Sequence, residues 1–340
     1  MNKIKLGILN SSPILDSYGG VGPFIKNLDP FLSKDLEVTY ITLPPHLHDI
    51  KYFPRRLTYF TFLMFRFRSF RKYDMVLSHV PEGSYILSYS KTPLAHIFHG
   101  NHNPMSQSRF WYGKYFKSIF KTFEKRIIKK AKLKYTVGNE RPDIPKIMNP
   151  IYHNVAVKPK ETRSGFIFVG RLEKIKNIDK IIQIYSMLAE EIRKENRLFI
   201  AGKGSQDQYL KQLVDKLNLT ERVVFTGEII NDQLIELVSH KKMLLMASSQ
   251  EGLPMAIAES LSVGIPVIST DTGDISRVIK NNYNGFLLPI EFDQNIYAEK
   301  ITTVLKNYAF YAENALESAE IFKAENVAKN LIYDIQTALN

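Results

Sequence analysis

The chain runs twice through the same alternation, in which short runs of β-branched and aromatic residues are each followed by a stretch with helical spacing. Runs at 4–9, 37–42, 75–78, 94–98 and 134–137 form the first series, and runs at 165–169, 197–201, 222–225, 243–247 and 266–269 form the second. Strands separated by helices pair in parallel, so this order predicts two α/β domains built from βαβ units. Between the series, at 147–164, the pattern lapses into Pro150, Pro159 and mixed charge, which marks the boundary. The expected domains are 1–150 and 151–320. The last helical pattern, 310–339, ends in a segment, 321–340, that can reach back to the first domain. With 340 residues, 44% of them apolar, the chain can bury two cores of ordinary size.

Charge divides the two halves. Residues 1–150 hold 24 Lys and Arg against 10 Asp and Glu, while the remainder holds 22 against 24, so the whole excess of +12 lies in the first half. A basic half is attracted to anionic partners: phospholipid head groups, a phosphorylated acceptor or nucleic acid. Two of its segments are basic and aromatic together. The first, 51–72, has seven Lys or Arg and no acid, and the second, 112–134, has nine against the single Glu124. In the second, Phe116, Ile119, Phe120, Phe123, Ile127 and Ala131 recur at helical spacing, with lysines mostly on the other side. No cysteine is present, which removes disulfides, zinc thiolates and thiol nucleophiles, and suits a reducing compartment. The amino terminus lacks the features of a signal peptide and reads as a first strand. The longest apolar segment, 57–70, is interrupted by Arg66 and Arg68 and is too short to span a bilayer.

The chemistry concentrates between the runs at 243–247 and 266–269, in Glu251-Gly-Leu-Pro-Met-Ala-Ile-Ala-Glu259. Gly252 lets backbone approach a ligand, and Pro254 suits the first turn of a helix whose leading amides attract an anion. Eight helical residues would separate the two glutamates by about 12 Å, with Glu259 two turns down. That is too far to share a proton, but it suits separate hydroxyl groups of one long ligand with phosphates between them. Upstream, Gly170-Arg-Leu-Glu-Lys-Ile-Lys176 puts Arg171 and Lys176 in a loop after a strand, where two cations could neutralise a diphosphate leaving group. Phe199-Ile-Ala-Gly-Lys-Gly-Ser205 and Val224-Phe-Thr-Gly-Glu-Ile229 end strands in glycine on the same edge. Tyr18-Gly-Gly-Val-Gly-Pro23 follows the first strand and opens a helix to about Ser33, a placement expected of a loop close to phosphate or sugar.

With these motifs in order, and Asn284-Gly-Phe-Leu-Leu-Pro289 after them, the chain resembles the retaining glycosyltransferases of the GT-B fold, family four. The likeness is strong from Phe166 to Pro289 and thinner before Pro150. It implies two facing Rossmann-like domains with a cleft between them. It further implies that Arg171 and Lys176 grip the donor diphosphate, that Glu259 bonds the ribose, and that Glu251 with the backbone of Gly252, Leu253, Pro254 and Met255 holds the sugar. Gly20 and Gly22 would lie beneath the donor phosphates or the acceptor. His99, in Ile97-Phe-His-Gly100, matches the family's strand-end histidine, with an orienting or electrostatic duty; His79, His96 and His102 are rivals. The chain departs from the family at Thr272-Gly-Asp-Ile-Ser-Arg277 and at Asn149-Pro150, which bears on donor identity more than on reaction type.

The expectation is therefore a cytoplasmic, metal-independent hexosyltransferase with no cofactor. It would act with retention from a nucleotide diphosphate sugar, UDP-linked by preference, on a glycan or lipid-linked acceptor of surface polysaccharide, lipopolysaccharide or glycolipid synthesis. It would lie on the inner face of an anionic membrane through its basic half, and nucleic acid is not an expected partner. The competing readings are a basic nucleic-acid-binding protein, which leaves the second half unexplained, and a sugar-nucleotide sensor without catalysis.

Overall fold

The computed structural model describes residues 3–11, 21–47, 55–99, 113–137, 141, 143–229 and 231–340, with backbone alone for 55, 113–117, 120 and 231. The chain divides into two compact units, one of Met1–Pro150 with Lys323–Asn340 and one of Ile151–Phe322.

The first unit has strands β1 (Lys5–Leu9), β2 (Glu37–Ile41), β3 (Met75–Ser78), β4 (Leu94–Phe98) and β5 (Leu133–Thr136), all parallel, in the order β2-β1-β3-β4-β5. Helices α1 (Val21–Asp35), α2 (Arg55–Phe65), α3 (Pro81–Leu87) and α4 (Gly113–Lys130) make the crossovers. Every residue of β3 and β4 is buried, because helices cover both faces of the sheet. One face packs Leu6 and Ile8 under Phe24, Leu28 and Leu32 of α1. The other packs Leu9 and Val76 under Tyr59 and Leu63 of α2, Leu87 of α3 and Ile127 of α4. On α4 the expected apolar stripe is buried at Ile127 and, just past its end, Ala131, whereas Ile119 is exposed. The side chains of Phe116 and Phe120 lie outside the described residues.

The second unit has strands β6 (Phe166–Val169), β7 (Leu198–Ala201), β8 (Val223–Gly227), β9 (Met243–Leu245), β10 (Val267–Thr270) and β11 (Gly285–Leu288), again all parallel, in the order β11-β10-β9-β6-β7-β8. Helices α5 (Ile178–Met187), α6 (Glu190–Glu195), α7 (Asp207–Lys216), α8 (Asn231–Ser239), α9 (Met255–Ser262), α10 (Gln294–Lys306) and α11 (Tyr308–Ser318) alternate with them. The switch in strand order falls between β6 and β9, so the loops after these two strands are where such a fold binds ligands. The sixth strand, β11, occupies the Asn284 to Pro289 motif.

The last helical pattern is broken. A 3-10 turn at Ala319–Phe322 separates α11 from α12 (Ala324–Leu339), and only α12 belongs to the first unit. There Val327, Leu331 and Ile335 pack beside α1, and Tyr135 on β5 donates to the Asp334 carboxylate at 2.5 Å. Burying each of those aliphatic side chains contributes about 1.5–3 kcal/mol. No described helix is long and apolar enough to cross a membrane.

Candidate active site

Three loops knit together at the carboxyl edge of the second sheet. After β6 the chain passes through Gly170 and Arg171 into a 3-10 turn at Lys174–Lys176. The Leu172 N–H donates to the Lys203 carbonyl at 2.9 Å, and the Gln206 N–H to the Leu172 carbonyl at 2.9 Å, which ties this loop to the one after β7. The Ser249 N–H donates to the Ile175 carbonyl at 2.8 Å, which ties it to the loop after β9. Asn177, in the left-handed region at φ 46°, caps the join by donating its side-chain amide to the Ala247 carbonyl at 2.8 Å. Below, the buried Tyr297 hydroxyl sits within 3.1 Å of the Met246 amide and carbonyl and 2.9 Å of the Ile268 carbonyl, bracing the end of β9 against β10.

That knot brings Lys176 to Glu251, 75 residues further along the chain. The ammonium lies 2.5 Å from Glu251 Oε1, with side chains only 13% and 9% exposed. Ser248 donates its hydroxyl to the same oxygen at 2.7 Å, and its own carbonyl accepts from Thr270 at 2.6 Å. The loop after β10 closes over the backbone here, Asp274 N–H to Gly252 carbonyl, 3.0 Å. Gly273 makes this possible. It sits at φ +60°, and a Cβ would stand 2.4 Å from the carbonyl oxygens of Glu251 and Gly252. A Cβ on Gly252, by contrast, would meet nothing within 4 Å.

The helix that follows begins one residue later than Pro254 suggests. Pro254 is its N-cap in extended conformation, and Met255 is the first helical residue. Glu259 therefore lies just over one turn into α9, not two, because the stretch before Pro254 is held in the knot of loops. Helix geometry leaves the amides of Met255 and Ala256 without an intrahelical acceptor, and Leu253 is buried beneath them. Glu259 is half-buried as a residue, but its carboxyl is enclosed by protein, and this burial pushes its pKa up to about 7. Arg171 is exposed in the loop it shares with Lys176, and among the described residues its guanidinium has no ion pair. The edge thus carries Arg171, the Lys176–Glu251 pair and the leading amides of α9, with Glu259 just over a turn into that helix, a donor and acceptor set that suits a polyhydroxylated diphosphate.

In the first unit, Gly22 is buried in the first turn of α1; Gly20 and His102 lie outside the described residues. His99 follows β4, half-buried, with its Nε2 2.7 Å from His79 Nδ1, and burial lowers its pKa to about 4. His96 is a different case: it is buried within β4 and bonded through Nδ1 to the Ser84 hydroxyl at 2.6 Å, with its pKa lowered to about 3, chiefly by burial. The sequence reading missed Ser248, Asn177 and Gly273. Ser248 left a signal in its Ser-x-x-Glu spacing to Glu251, and Gly273 lay within the Thr272-Gly-Asp departure.

Comparison with known proteins supplies the remaining frame. The family described as glycosyl transferases group 1 matches residues 153–322. The chain is 26% identical over 182 residues to N-acetyl-alpha-D-glucosaminyl L-malate synthase of Bacillus anthracis, covering 52% of this chain and 46% of that protein. It is 29% identical over 160 residues to lipopolysaccharide 1,6-galactosyltransferase of Salmonella typhimurium, covering 44% of this chain and 43% of that one. The matched stretches thus span less than half the length of these relatives. Among solved structures, Anabaena HepE in complex with UDP superposes with a TM-score of 0.75 at 15% identity, over 98% of this chain and all of that one.

Proposed function

Since this chain belongs to the group 1 glycosyl transferases and has the GT-B fold, we propose that it is a retaining hexosyltransferase. It takes a hexose from a nucleotide diphosphate sugar, UDP-linked by preference, and passes it to a hydroxyl of a glycan or lipid-linked acceptor in surface polysaccharide or glycolipid synthesis. The convergence of Lys176, Glu251 and the start of α9 on one sheet edge carries the reading. HepE bound to UDP and the lipopolysaccharide galactosyltransferase support the donor and acceptor classes.

In this reading Arg171, Lys176 and the leading amides of α9 hold the diphosphate and stabilise the charge that grows on it as the anomeric bond breaks. Glu251, with the backbone of Gly252 to Met255, orients the sugar hydroxyls, and Glu259 accepts from the ribose hydroxyls. The acceptor oxygen bonds to the anomeric carbon on the face the phosphate leaves, and its proton passes to a departing phosphate oxygen. The nucleotide diphosphate leaves, and configuration is retained. His99 takes an orienting or electrostatic part, with Gly20 and Gly22 near phosphate or acceptor. No step is assigned to a metal or cofactor.

The first unit recruits the acceptor at an anionic membrane surface, at the cytoplasmic inner face. Its support is the end of α2 and the 3-10 turn Phe67–Lys72: Phe65 is 93% exposed and Met64 55%, beside exposed Arg66, Arg68, Arg71 and Lys72. Cations at such a surface contribute about 1 kcal/mol each, and an exposed aromatic adds insertion.

The test is incubation with a panel of sugar nucleotides and a lipid extract, following nucleotide release and the anomeric configuration of the product. Release coupled to a product of unchanged anomeric configuration is expected. Release without transfer, or an inverted product, contradicts the assignment.

A further inference from the structure

β3 and β4 are neighbours in the first sheet, so the residues that follow them, His79 and His99, leave its carboxyl edge side by side. Nδ1 of His79 stands 2.7 Å from Nε2 of His99, with ring centroids 5.0 Å apart. Phe24 of α1 meets both rings edge-on, at 5.6 and 5.0 Å. His79 is buried, and its backbone N–H donates to the Leu9 carbonyl at 3.2 Å, so it is fixed from behind as well.

Burial favours the neutral form of both imidazoles. Burial lowers His79 well below the ordinary range, with His99 and His96 adding to it, and burial alone lowers His99 to about 4. The titratable groups acting on the pair are these same histidines; among the described residues no carboxylate, lysine or arginine shifts either ring. A neutral imidazole carries one N–H and one bare nitrogen. One ring therefore donates to the other, and in either direction Nε2 of His99 is engaged, so Nδ1 is the nitrogen that His79 does not occupy.

We propose that His79 is a positioning residue that fixes the tautomer of His99 and turns Nδ1, rather than Nε2, toward the substrate. The inference rests on the orienting role given to His99 above and assigns that role to one atom. His79 acts only through His99.

The first measurement needs no substrate. Nitrogen-15 NMR of the full chain, labelled at histidine, should show His99 as a single neutral tautomer from pH 5.5 to 8. Averaged or titrating His99 nitrogens overturn the proposal, and this measurement stands even if a variant fails to fold. The second uses the most active sugar nucleotide of the panel with the lipid extract. His79→Leu is expected to lower kcat at least tenfold while the donor KM changes less than threefold. His79→Gln, whose amide can bond Nε2, recovers at least a third of the loss on a logarithmic scale. The double variant His79→Leu/His99→Ala is no slower than His99→Ala alone. Multiplying losses in the double variant, or an impaired His99→Ala beside an unaffected His79→Leu, overturn this inference alone. An unaffected His99→Ala overturns the role of His99 and this inference with it, while leaving the NMR result intact.

Discussion

Glu251 Oε1 already has two donors, Lys176 and Ser248, so donor binding in the proposed function shares or exchanges these partners. Removing one partner of such a poorly exposed pair strands the other. Lys176→Ala and Glu251→Ala should each lower the melting temperature, whereas Lys176→Met with Glu251→Gln should recover much of the loss without restoring transfer. Thermal melts beside activity assays check this; additive destabilisation in the double variant contradicts it. Glu259 has a pH consequence. Its folded pKa, about 7, lies above the ordinary 4.5, so the stability tied to its protonated form is full below about 4.5 and lost as pH rises through 7. In the proposed function donor affinity runs the other way, because a protonated Glu259 would lose an acceptor for the ribose. Between pH 8 and pH 6 wild-type affinity should fall about tenfold more than that of Glu259→Gln. Titration calorimetry of both proteins reads this, and parallel pH profiles sink it. None of these contacts was legible as a contact in the sequence. Residue types and spacing marked Lys176, Glu251 and Glu259, but the Lys176–Glu251 pair spans 75 positions and exists only because β6 and β9 are adjacent in the sheet. The same holds for His79 and His99, 20 positions apart on adjacent strand ends.

At the scale of elements, the loop after β10 and the start of α9 form one device, held by glycine. Gly273→Ala puts a Cβ 2.4 Å from two carbonyl oxygens at a positive φ, so it should cost more than about 1 kcal/mol and weaken donor binding together. Gly252→Ala meets open space, so it should leave the melting temperature within a degree and still weaken donor binding at least tenfold. Equal effects of the two on stability contradict this local account. Strand periodicity in the sequence was sufficient for ten of the eleven strands among the described residues to within two residues, since a buried parallel strand is a short apolar run between turns. β11 escaped because it opens on Gly285 and is four residues long, and it is recognisable chiefly by pairing with β10. The start of α9 was misplaced because proline suits both the first helical turn and the extended residue before it.

At the scale of the whole molecule, the chain crosses from unit to unit twice, and the second crossing delivers α12 to the first core. Ending the chain after Phe322 removes the apolar cover that Val327, Leu331 and Ile335 give α1. Hydrogen exchange should then rise across β1, β2 and α1, while β6, β9 and β10 keep their protection; a uniform rise contradicts the division. The charge asymmetry belongs to this scale too. Vesicles of anionic lipid should bind the full chain with an affinity that falls with salt, and Phe65→Ser should weaken the salt-resistant part. Tighter binding to duplex or single-stranded nucleic acid would redirect the basic unit to another partner. In the proposed function the edge of the second sheet grips a nucleotide diphosphate through Arg171, Lys176 and the amides of α9. Titration calorimetry of the full chain with UDP, GDP and ADP reads that grip without an acceptor. At least one nucleotide should bind, and Arg171→Ala or Lys176→Ala should weaken it tenfold or more; undiminished binding in both folded variants contradicts the account.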